Sequence, residues 1–158
     1  MTKEVWIRVC GSHNSPQTGE DKVEVITRGE YFYRNGKHYI IYEEMEEGQT
    51  TPVKNVIKFK EDYMESSRKG QGVTANMTFE PGKTNTTFYH TAYGDLLLEI
   101  SAASVTVSVE EDLILAEAEY SMDMNYEHLS DSSMHIEIRP QKDSGFQLEE
   151  SAPDSCLS

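Results

Sequence analysis

No stretch of the sequence approaches the ~18 consecutive apolar residues that a membrane-spanning helix needs, and only 37% of its 158 residues are apolar. The opening Met1-Thr2-Lys3-Glu4-Val5-Trp6 lacks the long apolar core of a secretory signal. Cysteine is nearly missing: Cys10 and Cys156 stand near opposite ends and cannot supply a disulfide framework. These absences set the expectation of a cytoplasmic protein in a reducing compartment, with no membrane partner. Positive charge is scarce as well. Against 28 Asp and Glu there are 14 Lys and Arg, a net charge of −14, which speaks against nucleic acid, a ligand bound through excess positive charge. Apolar residues spaced at i, i+3, i+4 and i+7 are also lacking over any helix-length segment.

What is present is alternation. Val5, Ile7 and Val9 share one parity, as do Val73, Ala75, Met77 and Phe79, then Val105, Val107 and Val109, and Met134, Ile136 and Ile138. Period-2 patterning with β-branched and aromatic residues marks half-buried strands. Asn35-Gly36, Glu47-Gly48, Gly70-Gln71-Gly72, Pro81-Gly82 and Tyr93-Gly94 separate the segments as turns. The expected fold is all-β: a single antiparallel, mostly up-and-down, closed β-barrel of about eight to ten strands, because closure removes the exposed sheet edges. Residues 1–140 form this domain, and the Ser- and acid-rich stretch 141–158 is expected to be a disordered tail. If the first and last strands pair, Trp6 and Arg139 both face away from the buried parity and meet as a cation–π closure pair.

The hairpin at Asn35-Gly36 is the sharpest local expectation. Asn-Gly prefers the type I′ turn, and a two-residue loop fixes the register. Arg34 then faces Lys37, Tyr33 faces His38, Phe32 faces Tyr39, Tyr31 faces Ile40 and Arg28 faces Glu43. One parity of this hairpin carries Tyr31, Tyr33, His38, Ile40 and Tyr42. It should point into the barrel unless Gly29 is a bulge that switches faces.

Motifs for catalysis do not hold up. Gly70-Gln71-Gly72-Val73-Thr74-Ala75 fits the dinucleotide fingerprint in letters, but a strand follows where the pyrophosphate would need a helix N-terminus. Asp123-x-Asn125-x-Glu127 starts like a calcium loop, yet His128 and Met134 occupy the positions that require Gly and an acid. His13, His38, His90, His128 and His135 show no metal-ligand spacing, and there is no G-x-S-x-G elbow or P-loop. An enzyme would need distant residues to converge, such as His38 with His90 or His128. No catalytic residue, cofactor or metal is expected.

Two other features carry functional expectations. Nine Tyr against five Phe favour rings with a polar tip. Tyr31, Tyr33 and Tyr42 with His38 would line an interior that either holds a small, partly apolar ligand or is plugged by the rings themselves. Residues 84–138 hold eleven Asp and Glu and no Lys or Arg. Within them Glu117, Glu119 and Asp123 share one parity and should form an acidic outer wall, which is either a solvated face or a docking site for a basic partner. The five basic residues from Lys54 to Lys69 suggest a positive patch on the opposite wall. The protein is expected to be a monomer or homodimer.

The blocks Glu24-Val25-Ile26-Thr27-Arg28-Gly29-Glu30-Tyr31-Phe32-Tyr33, Tyr39-Ile40-Ile41-Tyr42-Glu43-Glu44, Phe88-Tyr89-His90-Thr91-Ala92-Tyr93-Gly94 and Glu119-Tyr120-Ser121-Met122-Asp123-Met124-Asn125 resemble the YwiB-like family of small bacterial proteins. The resemblance spans most of residues 1–140. It implies a lipocalin-like (calycin) barrel of unknown function and brings no catalytic residues with it. The G-x-W element of lipocalins is absent, since Glu4 stands where glycine would be.

Overall fold

The alternating segments form strands because every second side chain can be buried while the backbone pairs with both neighbours. In the computed structural model, residues 3–45, 48, 50–70, 73–91 and 94–141 are described, with backbone alone for 73, 90 and 91. Those residues form ten strands and no helix: β1 (Glu4–Ser15), β2 (Gly19–Arg34), β3 (Lys37–Glu44), β4 (Val53–Lys60), β5 (Tyr63–Gly70), β6 (Val73–Phe79), β7 (Thr84–Thr91), β8 (Gly94–Glu110), β9 (Leu113–Met124) and β10 (Glu127–Pro140). Each pairs antiparallel with its neighbours in sequence, and β1 pairs with β10 to close the ring. The expected tail, 141–158, lies outside the described residues apart from Gln141, whose side-chain amide donates to the Val5 carbonyl at 3.1 Å and lengthens the closing seam.

The Asn35-Gly36 turn has both central residues at positive φ, 52° and 76°, as the type I′ geometry demands. Its register runs from Arg34↔Lys37 to Glu30↔Ile41; the expected Arg28–Glu43 pair lies beyond the last bonded pair. Gly29 does not switch faces. A Cβ there would come 2.4 Å from Ile7 Cδ1 and 2.5 Å from the Ile41 carbonyl oxygen, so β1, β2 and β3 come together there only because the residue has no side chain. Parity does shift at two other places, between Ala102 and Ser104 on β8 and between His128 and Ser130 on β10. Each inserts one residue and re-aims the rest of its strand.

The interior is unevenly filled. Toward the end that carries the Asn35-Gly36 turn and the start of β1, here the lower end, inward residues form packed rows. His38, Phe59, Met64 and Phe79 lie side by side across β3 to β6. Phe59, Phe79 and Met64 are fully buried with Val5, Ile7, Ile114, Ile136 and Ile138. Phe79 tilts against Tyr120 at 4.6 Å between ring centroids, which joins this row to β9. At the β6–β7 seam Thr74 pairs with His90.

Replacing Gly29 with Ala should lower stability by about 1–3 kcal/mol through overpacking. A urea titration of native and variant protein checks this, and an unchanged midpoint would contradict the close approach.

Candidate functional site

Toward the opposite, upper end, the same inward parity carries different chemistry. Tyr42 pairs with Asn55, Asn55 with Arg68, and Arg68 with Ala75, so four neighbouring strands contribute one polar row. Below it run Ile40, Ile57, Ser66 and Met77. Ser66, Asn55 and Ala75 are too small to reach the far wall, and the space between the walls is a cavity of about 350 Å³. Tyr42, Asn55, Ser66 and Arg68 form one side of it. Leu98, Met122, Met124, Leu129, Met134 and Val9 form the other, on β8, β9, β10 and β1. The cavity is therefore polar on β3–β5 and thioether-rich on β8–β10, with Met77 of β6 and the Tyr89 phenol of β7 completing the lining.

The polar face is organised. Arg68 Nη1 donates to Glu44 Oε1 at 2.9 Å, and Asn55 Nδ2 donates to the same oxygen at 2.9 Å. Asn55 Oδ1 accepts from Arg68 Nη1 at 3.4 Å. Asn55 is buried, whereas the side chains of Arg68 and Glu44 are half-buried. Burial, with the nearby Glu44 charge adding to it, pushes the Tyr42 phenol far above its ordinary range, so Tyr42 enters the cavity as a hydrogen-bond donor. The hydroxyls of Tyr42 and Ser66 have no side-chain partner among the described residues.

The four aromatic candidates do not share one lining. Tyr42 lines the cavity. Tyr31, Tyr33 and His38 meet at the lower end around an open depression that includes Lys3, Phe32 and Val109. Tyr31 Oη and His38 Nδ1 share a 2.7 Å hydrogen bond, and His38 stacks on Phe59 at 5.1 Å. Tyr33, expected inside, is 59% exposed, because β2 runs past the start of β1 and its last residues overhang the packed rows. Arg68 belonged by sequence to a basic surface patch. Its parity with the buried Met64 turns it inward, and that spacing was the signal by which the sequence could have revealed it.

At the closing seam Trp6 lies opposite Arg139 on β10 and opposite Arg28 on β2, and the Arg28 guanidinium sits 5.0 Å from the indole centroid. On the outer wall of β9, Glu117 shares a 2.8 Å contact with His135 Nδ1, and Asp123 a 3.1 Å contact with His128 Nδ1; Glu119 is exposed between them. His135 also reaches Glu137 at 3.3 Å, and Arg8 bridges Glu137 at 3.1 Å and Glu24 at 2.7 Å. His38 points inward at the lower end while His128 lies on the outer face near the β9–β10 turn, so these two do not converge. Among the described residues no group of three His, Cys, Asp or Glu side chains is arranged to hold a metal ion.

Residues 7–136 match the family described as "Domain of unknown function (DUF1934)". The chain belongs to that family. This DUF1934 chain is 26% identical over 117 residues to the "Uncharacterized beta-barrel protein YwiB" of Bacillus subtilis (strain 168), a match covering 74% of this chain and 77% of that protein. The crystal structure of the ywiB protein from Bacillus subtilis resembles it with a TM-score of 0.66 and 25% identity, over 87% of this chain and 94% of that one. The similarity to the YwiB-like family read from the sequence is thus shown, and the DUF1934 barrel is all-β and antiparallel as expected.

Two histidines should titrate in opposite directions. Burial lowers the pKa of His38. Hydrogen bonds with Glu137 and then Glu117 raise that of His135 against its own desolvation. His135 therefore contributes stability that is complete below the ordinary 6.5 and lost as pH rises through its raised folded pKa. His38 costs stability as pH falls below 6.5, where the unfolded chain takes up a proton that the folded chain resists. An NMR titration of the imidazoles should place the two midpoints on either side of 6.5; a shared midpoint would contradict these environments.

Proposed function

We propose that this protein is a non-enzymatic binder of a small, partly apolar molecule held in the upper half of the barrel. The observation that carries this reading is the cavity of about 350 Å³, apolar on one side and hydrogen-bonding on the other. Ligand sites combine apolar walls for affinity with a few polar groups for orientation, and typically enclose about 300–1,000 Å³. At roughly 30 Å³ for each water-sized group, this space holds about a dozen non-hydrogen atoms. Methionine suits such a wall, since its unbranched, polarisable chain adapts to different shapes, and Met77, Met122, Met124 and Met134 all face the space. The outer wall of β9 supports a docking role less well, because Glu117 and Asp123 are already shared with His135 and His128.

Carbon-13 labelling of the methionine methyl groups gives a direct readout. Added 1-octanol should shift the resonances of Met77, Met122, Met124 and Met134 and leave Met45, which is 58% exposed, unmoved. Ala75→Phe, which projects a ring into the cavity, should reduce the octanol affinity at least tenfold. Shifts spread over all methionines, or none, would count against the reading.

A further inference from the structure

The side chains that bound the cavity also favour one kind of molecule, on the premise that the cavity is a ligand site as proposed above. The chain has seven methionines, and four of them, Met77, Met122, Met124 and Met134, line this one space. The packed half is built instead on Val5, Ile7, Ile114, Ile136 and Ile138. Both sets are apolar, so burial alone does not separate them. A thioether has one property that an aliphatic group lacks. Its polarisable sulfur is attracted to an aromatic ring, typically at the ring edge and ~5 Å away.

The packed half shows how this chain places such a sulfur. Met64 is fully buried, and in its row it stands between Phe59 on β4 and Phe79 on β6. Phe79 in turn tilts against Tyr120 at 4.6 Å between centroids. The rings there come from the chain itself. In the upper half that supply falls short. Among the described residues that line the cavity there is no Phe or Trp, and Tyr42 and Tyr89 supply the rings beside four thioethers. A flat ring seated in this space gives the sulfurs the partner that Phe59 and Phe79 offer Met64. It also gives Tyr42 and Tyr89 an aromatic neighbour, which such rings favour beyond their area of burial. A saturated group of the same volume gives neither. A six-membered ring takes up about half of a space for a dozen non-hydrogen atoms. The remainder accommodates a short arm reaching the hydroxyls of Tyr42 and Ser66 on the polar side.

We infer that the ligand is a compact aromatic molecule, a single or fused ring bearing a short hydrogen-bonding arm, with the ring held among the thioethers of Met77, Met122, Met124 and Met134.

2-Phenylethanol and 2-cyclohexylethanol share an arm, a hydroxyl and a six-membered ring, and differ in whether that ring is aromatic. The cyclohexyl compound is the more apolar, so burial alone makes it the tighter ligand. Titrated into the methionine-labelled protein, 2-phenylethanol should nevertheless bind at least threefold more tightly. Met122→Leu and Met134→Leu remove the sulfur while nearly keeping the volume. Combined, they should weaken 2-phenylethanol at least threefold and leave the affinity for 2-cyclohexylethanol within twofold. Each single variant should move the ratio in the same direction, so one that folds is enough. If 1-octanol and 2-cyclohexylethanol bind and 2-phenylethanol is no tighter than 2-cyclohexylethanol, the inference is overturned while the cavity reading stands. Equal losses for both ring compounds in the leucine variants would overturn it too. If none of the three alcohols shifts the cavity methionines, the cavity reading falls and the inference falls with it.

Discussion

In an antiparallel sheet successive side chains point to opposite faces, and when β1 pairs with β10 that alternation has no edge at which to lapse. Every inward position must then be reconciled with the positions beside it on two neighbouring strands. The rows His38–Phe59–Met64–Phe79 and Tyr42–Asn55–Arg68–Ala75 follow from this directly, each running across four strands at one height. The first is large and mostly apolar, and it packs. The second mixes a long cation with small and polar residues, and it leaves space. One geometric rule thus produces a barrel solid at one end and hollow at the other.

The inward placement of Arg68 has a second consequence. A half-buried guanidinium needs partners, and the same parity delivers Glu44 from β3 and Asn55 from β4, both within hydrogen-bonding reach. The pair is partly exposed, so its contribution to stability is small; its effect is to hold the guanidinium in place at the cavity wall. The outer wall follows another logic. There Arg8 bridges Glu24 and Glu137, His135 contacts Glu117 and Glu137, and His128 contacts Asp123.

Much of this architecture can be read from the residues alone. Val5-x-Ile7-x-Val9 and Met134-x-Ile136-x-Ile138 declare their buried faces, and Asn35-Gly36 fixes a register because few residues tolerate two successive positive φ angles. Other features resist such reading for physical reasons. Parity assigns a face but not a height along the barrel, so Tyr33 and Val109 share the inward parity yet overhang the lower rim and are each 59% exposed. The inserted residues near Ala102 and His128 break the alternation without a glycine or proline to mark them. Asn125 and Tyr126 take positive φ of 49° and 70° in a turn that has no glycine. Arg68 sits beside Lys69, and a basic pair looks like surface until the Met64–Ser66–Arg68 spacing is followed through. The cavity is a property of six or more strands at once and has no local signature.

The upper half of this barrel encloses preformed space, whereas the interior of the lower half is packed. A crystal pressurised with xenon tests it most directly, since xenon enters apolar cavities and is excluded from packed cores. Xenon should be found among Met77, Met122 and Met134 and not among Phe59, Phe79 and Ile138. Methionine side chains found collapsed onto Ser66 and Ala75, with no xenon between the walls, would contradict it.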